Sequence, residues 1–469
     1  MDWDLRSKSR STGSKAPSAY LHIEAQSVNL YIARYFEQVH PIYPFLQRHE
    51  FERKALDNRC SQFCKECAPF SALYHTVLAL GCQRLGGETF RLGCSPSWKL
   101  FQVALGLFAE MITTKETLTH VQAMIAMAVF ARNSSAIQIE RLLTTEAARI
   151  AQSIGINRAM YADEEMELCQ RAFWMIYILE KTQTFACGRD SILIDSNIGT
   201  PVPRIPDALF GGFNYFHTLC RFSRVLSKAK DTLFSISATL VPSSKILTNI
   251  DALTGELECW KKSICEDFQP GNDFQQSGRL DSLSIALKLM LSYQYHGATI
   301  ALARLKVNVA SSEADPSKLQ AEQVLLRASR SIIELTRYID VETYTPIWTL
   351  LSVPLSAIFI LFDFVIRNPC HSETKSNIAL LGIAAGYFCR LEFSSGGILQ
   401  TSLLSDLAQI ARDYISDMKT SATAEPMEFL GTPYSYHHSQ PEEEELEIRP
   451  ALPASVSQNP IVLELTTNF

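Results

Sequence analysis

Apolar residues recur at helical spacing along most of this chain. In the first such segment Val28, Ile32, Tyr35 and Val39 fall on one helical face, and Pro41 follows where a helix has to end. The same spacing predicts further helices over residues 70–80, 100–111, 121–130, 139–154, 163–179, 215–234, 247–266, 281–305, 319–339, 347–365, 378–391 and 403–418. Almost no segment alternates with the two-residue period of a strand, and no repeat of fixed length appears. The predicted fold is therefore all-α, a large irregular multi-helix domain.

The two ends of the chain differ in composition from the part between them. Residues 1–20 are rich in Ser, Lys and Arg without an apolar period, and residues 419–469 mix Pro, Ser and His with isolated apolar side chains. Neither composition can bury a core, so both ends are predicted to be disordered, and the helical domain is placed at residues 21–418. The acidic tail resembles disordered activation segments, although a tail that only improves solubility has the same composition.

Charge and cysteine content narrow the class of protein. The net charge is −6, and residues 421–469 alone carry eight acidic residues and one basic residue. The remaining chain is close to neutral, which argues against a protein that coats nucleic acid by bulk electrostatics. The 12 cysteines lack the spacing of a disulfide framework, and no apolar run follows Met1. A reducing compartment, cytosol or nucleus, is expected.

One segment has the length and composition of a membrane span. No charged residue lies between Thr343 and Phe362, a stretch close to what a bilayer requires. However, Pro354 lies in its middle, and Asp363 follows at once inside a still apolar region. These features favour a buried core helix with a proline kink.

Three cysteines are the most distinctive candidates for metal chemistry. Cys60, Cys64 and Cys67 have the C-x3-C-x2-C spacing of radical enzymes that hold a four-iron cluster through thiolates, and residues 86–88 (Gly-Gly-Glu) resemble a cofactor contact. In those enzymes the motif lies on a loop after a strand of an α/β barrel, whereas the surrounding residues here have helical spacing. Three cysteines that share a loop by chance are the preferred interpretation, and an iron–sulfur enzyme is the alternative.

A second candidate is acidic. Residues 163–167 contain Asp163 and three glutamates, and Asn272-Asp273 lies further on, in the order that an all-helical terpene cyclase uses to bind magnesium pyrophosphate. The later Ser and Glu of that motif are missing, and an acidic first turn that complements a helix dipole explains residues 163–167 equally well. His49-Glu50 lacks the second histidine of a zinc protease motif. No catalytic, cofactor-binding or metal-ligating residue is assigned.

Three stretches together resemble the fungal specific transcription factor domain, the helical middle region found downstream of binuclear zinc-cluster DNA-binding motifs. They are residues 35–46 with a His-Pro-aromatic-Pro exit, residues 147–158, and residues 171–181, which continue through Gly188-Arg189 into residues 194–203. The clear resemblance covers residues 28–203, and the helical remainder to residue 418 is compatible with it.

The third stretch also predicts specific local structure. Trp174 and Tyr177 place large amphipathic side chains on one buried helix face. Gly188 permits a tight turn after the helix. Arg189 and Asp195 are expected to pair across that turn.

The chain also departs from the family's pattern. Glu180-Lys181 stands where the family usually has Asp-Arg, and Asp190 replaces the usual proline. A zinc cluster needs six cysteines in two closely spaced sets, and no cysteine precedes Cys60. The resemblance therefore carries no DNA-reading residue to this sequence. Four basic residues near the start would make at most a weak phosphate-contacting arm: Arg6, Lys8, Arg10 and Lys15.

The resemblance implies a nuclear transcription regulator or co-regulator of fungal metabolic genes, for example those of a biosynthetic gene cluster, and not an enzyme. Its implied partners are a zinc-cluster transcription factor, the transcription machinery and a second copy of the chain, with DNA contacted weakly or indirectly. A small-molecule effector is also implied. The alternative from the residues themselves is a helical metal-dependent enzyme of the iron–sulfur or terpene cyclase type.

Overall fold

The computed structural model describes residues 21–423, except residues 22, 92, 159–163, 207–208, 273, 275–280 and 311–315. The all-α prediction is confirmed, since 74% of the chain is helical. Within the described residues the strands are β1 (Leu209–Phe210) and β2 (Phe213–Asn214), which pair as an antiparallel hairpin. The acidic tail and residues 1–20 lie outside the described residues.

A first group of helices builds one continuous apolar core, and we call this group the first lobe. Its helices are α1 (Ala25–Gln38), α2 (Arg48–Ala55), α3 (Cys60–Glu66), α4 (Ala68–Cys82), α5 (Pro96–Gly106), α6 (Phe108–Thr113), α7 (Leu118–Asn133), α8 (Ile137–Ser153), α9 (Glu164–Ala186), α10 (Tyr215–Leu233) and α11 (Ser243–Lys262). Every residue of α4 is buried. A Cβ on Gly81 would lie 1.9 Å from the Tyr31 carbonyl oxygen, so α1 and α4 can approach this closely only because residue 81 is glycine.

A second group, the second lobe, follows along the chain. Its helices are α12 (Ser282–Val309), α13 (Pro316–Leu335), α14 (Val353–Arg367), α15 (Thr374–Ser394) and α16 (Asp406–Thr423). Helix α12 serves both lobes, because apolar residues surround much of its circumference. Leu287 and Leu291 pack into the core of the first lobe, whereas Leu289 and Tyr293 pack into that of the second.

The apolar segment around Pro354 forms a helical run, Trp348–Arg367, that is long and apolar enough to cross a membrane by length and composition alone. Its most apolar window is 61% buried against the rest of the protein, as in the core helix of a globular protein. Residues Trp348–Ser352 form a π-helical turn immediately before α14. Pro354 has no N–H to offer the Leu350 carbonyl, and the Tyr387 hydroxyl donates a hydrogen bond to that oxygen at 2.5 Å instead.

Several predicted boundaries need correction. The helix predicted over residues 100–111 is interrupted at Leu107 and forms α5 and α6. The three cysteines were expected in a loop, but Cys60 and Cys64 lie within α3, and Cys67 directly precedes α4. Helix α2 was missed because its polar composition gives little apolar periodicity.

Candidate regulatory site

The loop after α9 is held to that helix by buried polar side chains. The Trp174 indole N–H donates to the Pro201 carbonyl at 2.8 Å, and the Tyr177 hydroxyl donates to the Asp195 carboxylate at 2.9 Å. Both side chains are fully buried, as their positions on one face of α9 predicted. Since each ring fills the core while its polar atom reaches a loop residue, α9 fixes the path of residues 187–203.

Two adjacent charged residues strengthen this attachment. The Lys181 ammonium donates to the Leu193 carbonyl at 2.5 Å and to the Ser191 hydroxyl at 2.7 Å. The Glu180 carboxylate accepts the Ile192 backbone N–H at 2.9 Å. Glu180 and Lys181 are each 3% exposed. Burial raises the pKa of Glu180, and the neighbouring Lys181 ammonium opposes that shift.

The expected pair between Arg189 and Asp195 is wrong. Asp195 accepts hydrogen bonds from Tyr177 and from Ser227 of α10, and its carboxylate lies 3.7 Å from the Lys181 ammonium. The cation near Asp195 is Lys181 and not Arg189, because Lys181 lies on the buried face of α9 against which the loop packs. Gly188 has φ = 64°, which confirms the predicted tight turn.

The three stretches that were singled out in the sequence meet in space. The Leu46 carbonyl, at the end of the first stretch, accepts hydrogen bonds from His40 at 2.8 Å and from Arg171 of α9 at 3.4 Å. Asn157, in the second stretch, donates its side-chain amide to the Asn197 carbonyl at 2.9 Å. Its own carbonyl accepts the Gly199 backbone N–H. The resemblance therefore corresponds to one hydrogen-bonded centre around α9.

A second polar cluster lies where the two lobes meet, and we call it the polar junction. Its members are Tyr43, Arg84, Arg132, Glu140, Tyr215 and Tyr344. Tyr43 joins them, because it lies within electrostatic reach of Arg84, Arg132, Glu140 and Tyr215. The Arg132 guanidinium binds the Glu140 carboxylate at 2.7 Å, with both side chains about nine-tenths buried. The Arg84 guanidinium stacks on the Tyr344 ring, 3.9 Å from its centroid. Arg84 follows α4 of the first lobe and Tyr344 precedes the π-helical turn of the second, so this contact links the lobes.

Several buried atoms of the polar junction and its neighbours have no hydrogen-bond partner among the described residues. They are the Tyr215 hydroxyl, Arg84 Nε, Gln83 Oε1 and Asn133 Nδ2. Gln83 directly precedes Arg84, and Asn133 directly follows Arg132. The Gln83 amide nitrogen donates a hydrogen bond to the Ser134 hydroxyl at 2.9 Å. Buried polar groups in proteins are almost always satisfied by protein or by ordered water. The cluster therefore has unused capacity for water or for a polar ligand.

The first lobe also carries an open surface cleft of about 840 Å³ beside the β-hairpin. It lies between the start of α10, the turn after α11 and the start of α12. Its polar lining residues are Asn214, His217, Thr218, Arg221, Ser263, Asp267, Asp281 and Ser284. The lining combines the acidic Asp267 and Asp281 with Arg221 and His217, so the cleft favours no single sign of charge.

The candidate metal chemistry of the sequence is not assembled in the described part of the chain, where no group of three His, Cys, Asp or Glu side chains could hold a metal ion. Glu88 of the Gly-Gly-Glu motif accepts hydrogen bonds from the Ser97 hydroxyl and backbone N–H, and so caps α5. Glu167 pairs with Arg171. Asp163, Asp273 and the side chains of residues 164–165 lie outside the described residues.

Comparison with known proteins identifies the domain. Residues 32–262 match the fungal specific transcription factor domain. The chain carries this domain. The match ends with α11, so the fungal specific transcription factor domain accounts for the helices of the first lobe from α1 to α11 and stops before the shared helix α12.

The domain's curated relatives are fungal transcription factors. The chain is 26% identical over 333 residues to an ABC-transporter-regulating transcription factor of Aspergillus oryzae, an alignment that covers 64% of this chain and 37% of the relative. It is 25% identical over 380 residues to the Aspergillus fumigatus protein of that name, covering 74% and 42%. It is 24% identical over 420 residues to the fusaridione A cluster transcription factor fsdR of Fusarium heterosporum, covering 85% and 78%. The chain thus spans about two fifths of the length of the first two relatives. No solved structure matches it.

Proposed function

We propose that this chain is a nuclear transcription regulator or co-regulator of fungal metabolic genes and not an enzyme, with residues 21–418 as its regulatory body. The observation that carries the proposal is the convergence on α9 of the stretches that define the family resemblance. Relatives named as regulators of ABC transporters and of a biosynthetic cluster support the choice of target genes. The implied partners are a zinc-cluster transcription factor, the transcription machinery and a second copy of the chain.

The acidic tail is the proposed contact to the transcription machinery. The test fuses the full chain to a bacterial DNA-binding domain and measures a reporter in a fungal host. We expect activation that is lost when residues 424–469 are deleted and weakened when Glu442, Glu443, Glu444 and Glu445 become glutamine. If neither change alters reporter activity, the tail does not contact the transcription machinery. A fusion without any effect on transcription would contradict the regulatory function.

Direct DNA binding is proposed to be weak. Fluorescence anisotropy of the full chain with mixed double-stranded DNA, titrated with salt, measures it. We expect no binding at physiological salt, because Arg6, Lys8, Arg10 and Lys15 supply few phosphate contacts. Tight binding with a steep salt dependence would show that the chain acts on DNA directly.

The polar junction is the proposed point at which a polar effector acts. Its unpartnered hydroxyl, guanidinium and amide atoms support this role, and the contact of Arg84 with Tyr344 would pass the effect from one lobe to the other. In the reporter fusion, Tyr344→Leu is expected to uncouple the lobes and change reporter output while thermal unfolding of the first lobe stays unchanged. If Tyr344→Leu folds and leaves reporter activity unchanged, the contact between Arg84 and Tyr344 does not transmit the effect of an effector.

A further inference from the structure

The three cysteines of the C-x3-C-x2-C motif form a thiol triad, which comprises Cys60, Cys64 and Cys67. The proposed transcriptional function leaves it unexplained. The spacing of four residues places Cys60 and Cys64 on one face of α3, and Cys67 follows directly after the last residue of that helix. Cys60 and Cys64 are buried, whereas Cys67 is exposed and occupies the break between α3 and α4 with φ = −137° and ψ = 93°.

The buried pair of the thiol triad is chemically coupled. The thiols of Cys60 and Cys64 hydrogen-bond to each other, and Tyr74 and Ser71 of α4 bond to them in turn. The hydrogen bond between them lowers the pKa of Cys60 and, together with burial, raises the pKa of Cys64. Cys67 lies close enough to Cys64 for its charge to contribute to the raised pKa of the Cys64 thiol.

We propose that Cys64 and Cys67 form a site of reversible oxidation by hydrogen peroxide. The Cys67 sulfur attacks one peroxide oxygen, so that an S–O bond forms, the O–O bond breaks, and water leaves with the thiol proton. The Cys64 sulfur then attacks the resulting sulfenic acid, so that an S–S bond forms and a second water leaves with the Cys64 proton. Two thiols lose two electrons, and one peroxide is reduced to two waters.

The geometry favours this pair over Cys60 with Cys64. Within a helix, side chains four residues apart have Cβ atoms roughly 5–6 Å apart, whereas a disulfide requires about 3.5–4.5 Å. Bridging Cys60 and Cys64 would therefore unwind the middle of α3. Cys67 has already left the helical conformation, so a bridge to Cys64 needs only the two residues between them to rearrange. Because Cys67 is exposed, hydrogen peroxide can reach its sulfur directly from solvent.

The sequence supplies a mass-spectrometric test. Trypsin cleaves after Arg59, Lys65 and Arg84, which places Cys60 and Cys64 on one peptide and Cys67 on the next. The full chain is treated with one equivalent of hydrogen peroxide, alkylated and digested. We expect peptides 60–65 and 66–84 joined by a disulfide that dithiothreitol releases. A peptide 60–65 that has lost two hydrogen atoms, without the joined species, would mean a bridge between Cys60 and Cys64 and would overturn the proposal.

Two variants test whether Cys67 supplies the thiol on the second peptide. Cys67→Ser changes an exposed side chain and leaves the core intact, and it should abolish the joined peptide, which also excludes buried Cys82 on peptide 66–84 as the partner. Cys94→Ser removes a different exposed cysteine and should leave the joined peptide unchanged. If the joined peptide persists in Cys67→Ser, or if Cys94 is oxidised as fast as Cys67 in the native chain, the site does not exist.

Discussion

Both lobes bury apolar cores, but they differ in where they bury charge. Judged by the exposure of the whole residue, the charged residues that are buried in the described part of the chain are Glu140, Arg171, Glu180, Lys181, Lys230 and Lys288. The first five belong to the first lobe, and Lys288 lies in the shared helix α12. As far as the structure describes α13 to α16, these helices bury no charged residue.

The buried hydrogen bonds of the second lobe instead join neutral groups. The Tyr387 hydroxyl satisfies the Leu350 carbonyl, and the Thr401 hydroxyl satisfies the Phe388 carbonyl at 2.7 Å. Each completes the hydrogen bonding of a helix end or a helix irregularity. Such contacts stabilise a helix without setting the path of a long loop.

The difference explains why one lobe carries a recognisable signature. A buried charge is tolerated only beside specific partners, so the charges at positions 180 and 181 and the loop groups that bind them are mutually constrained. An apolar helix face can be built from many combinations of Leu, Ile, Val and Phe. The family match ends at residue 262, before α12.

The largest effect is expected from removing a buried cation of the first lobe. Lys181→Met leaves Glu180 buried without its neighbouring ammonium and leaves the Leu193 carbonyl with only the Ser191 hydroxyl as a donor, which should cost about 3–5 kcal/mol of unfolding free energy in a urea titration. The matched control is Lys228→Met, whose ammonium is half exposed in its pair with Glu256 and should cost less than about 1 kcal/mol. Equal costs would mean that the loop is not held by buried charge.

Much of the architecture could be predicted from the sequence, because helical periodicity reports burial directly. The helix through Trp174 and Tyr177, the turn at Gly188 and the buried apolar segment around Pro354 follow from local patterns. The partners of Asp195 could not be predicted, because Ser227 lies on another helix and the loop path decides which cation comes near. The polar junction could not be predicted for the same reason: its members are far apart in sequence, and only Tyr43 belongs to a stretch that carries the family resemblance.

A pH effect is expected in the helix that the two lobes share. Burial lowers the pKa of His296 to about 4, below its usual value of 6.5. Its neutral form is therefore favoured by folding, and the stability that it contributes is present above pH 6.5 and is lost as the pH falls toward 4. As the pH falls from 7 to 5, protonation of His296 in the unfolded state should lower the unfolding free energy by about 2 kcal/mol.

Two variants isolate the contribution of His296. In His296→Gln the loss between pH 7 and pH 5 should shrink by about that amount, whereas exposed His49→Gln should keep the native pH dependence. Chemical denaturation at both pH values measures the difference. An unchanged pH dependence in His296→Gln would show that this histidine is not buried in its neutral form.

A smaller effect is expected from the second lobe. Tyr387→Phe removes the hydroxyl that bonds the Leu350 carbonyl and should cost about 1–2 kcal/mol, because this oxygen already lacks its helical partner at Pro354. Tyr414→Phe, on the exposed side of α16, should change the unfolding free energy by less than about 0.5 kcal/mol. If Tyr387→Phe changes the unfolding free energy as little as Tyr414→Phe does, the hydrogen bond from α15 does not stabilise the π-helical turn.

The smallest effect concerns a departure from the family pattern in the first lobe. Asp190 is 79% exposed and lies 3.4 Å from the Lys230 ammonium, which also donates to the Gly188 and Phe234 carbonyls at 3.1 Å. Asp190→Ala should therefore cost less than about 1 kcal/mol, and the difference should disappear in 1 M salt, because an exposed pair is screened while Lys230 keeps its carbonyl partners. A loss of several kcal/mol that persists in high salt would show that Asp190 belongs to the buried network, and that the first lobe depends on charge beyond the residues that it buries.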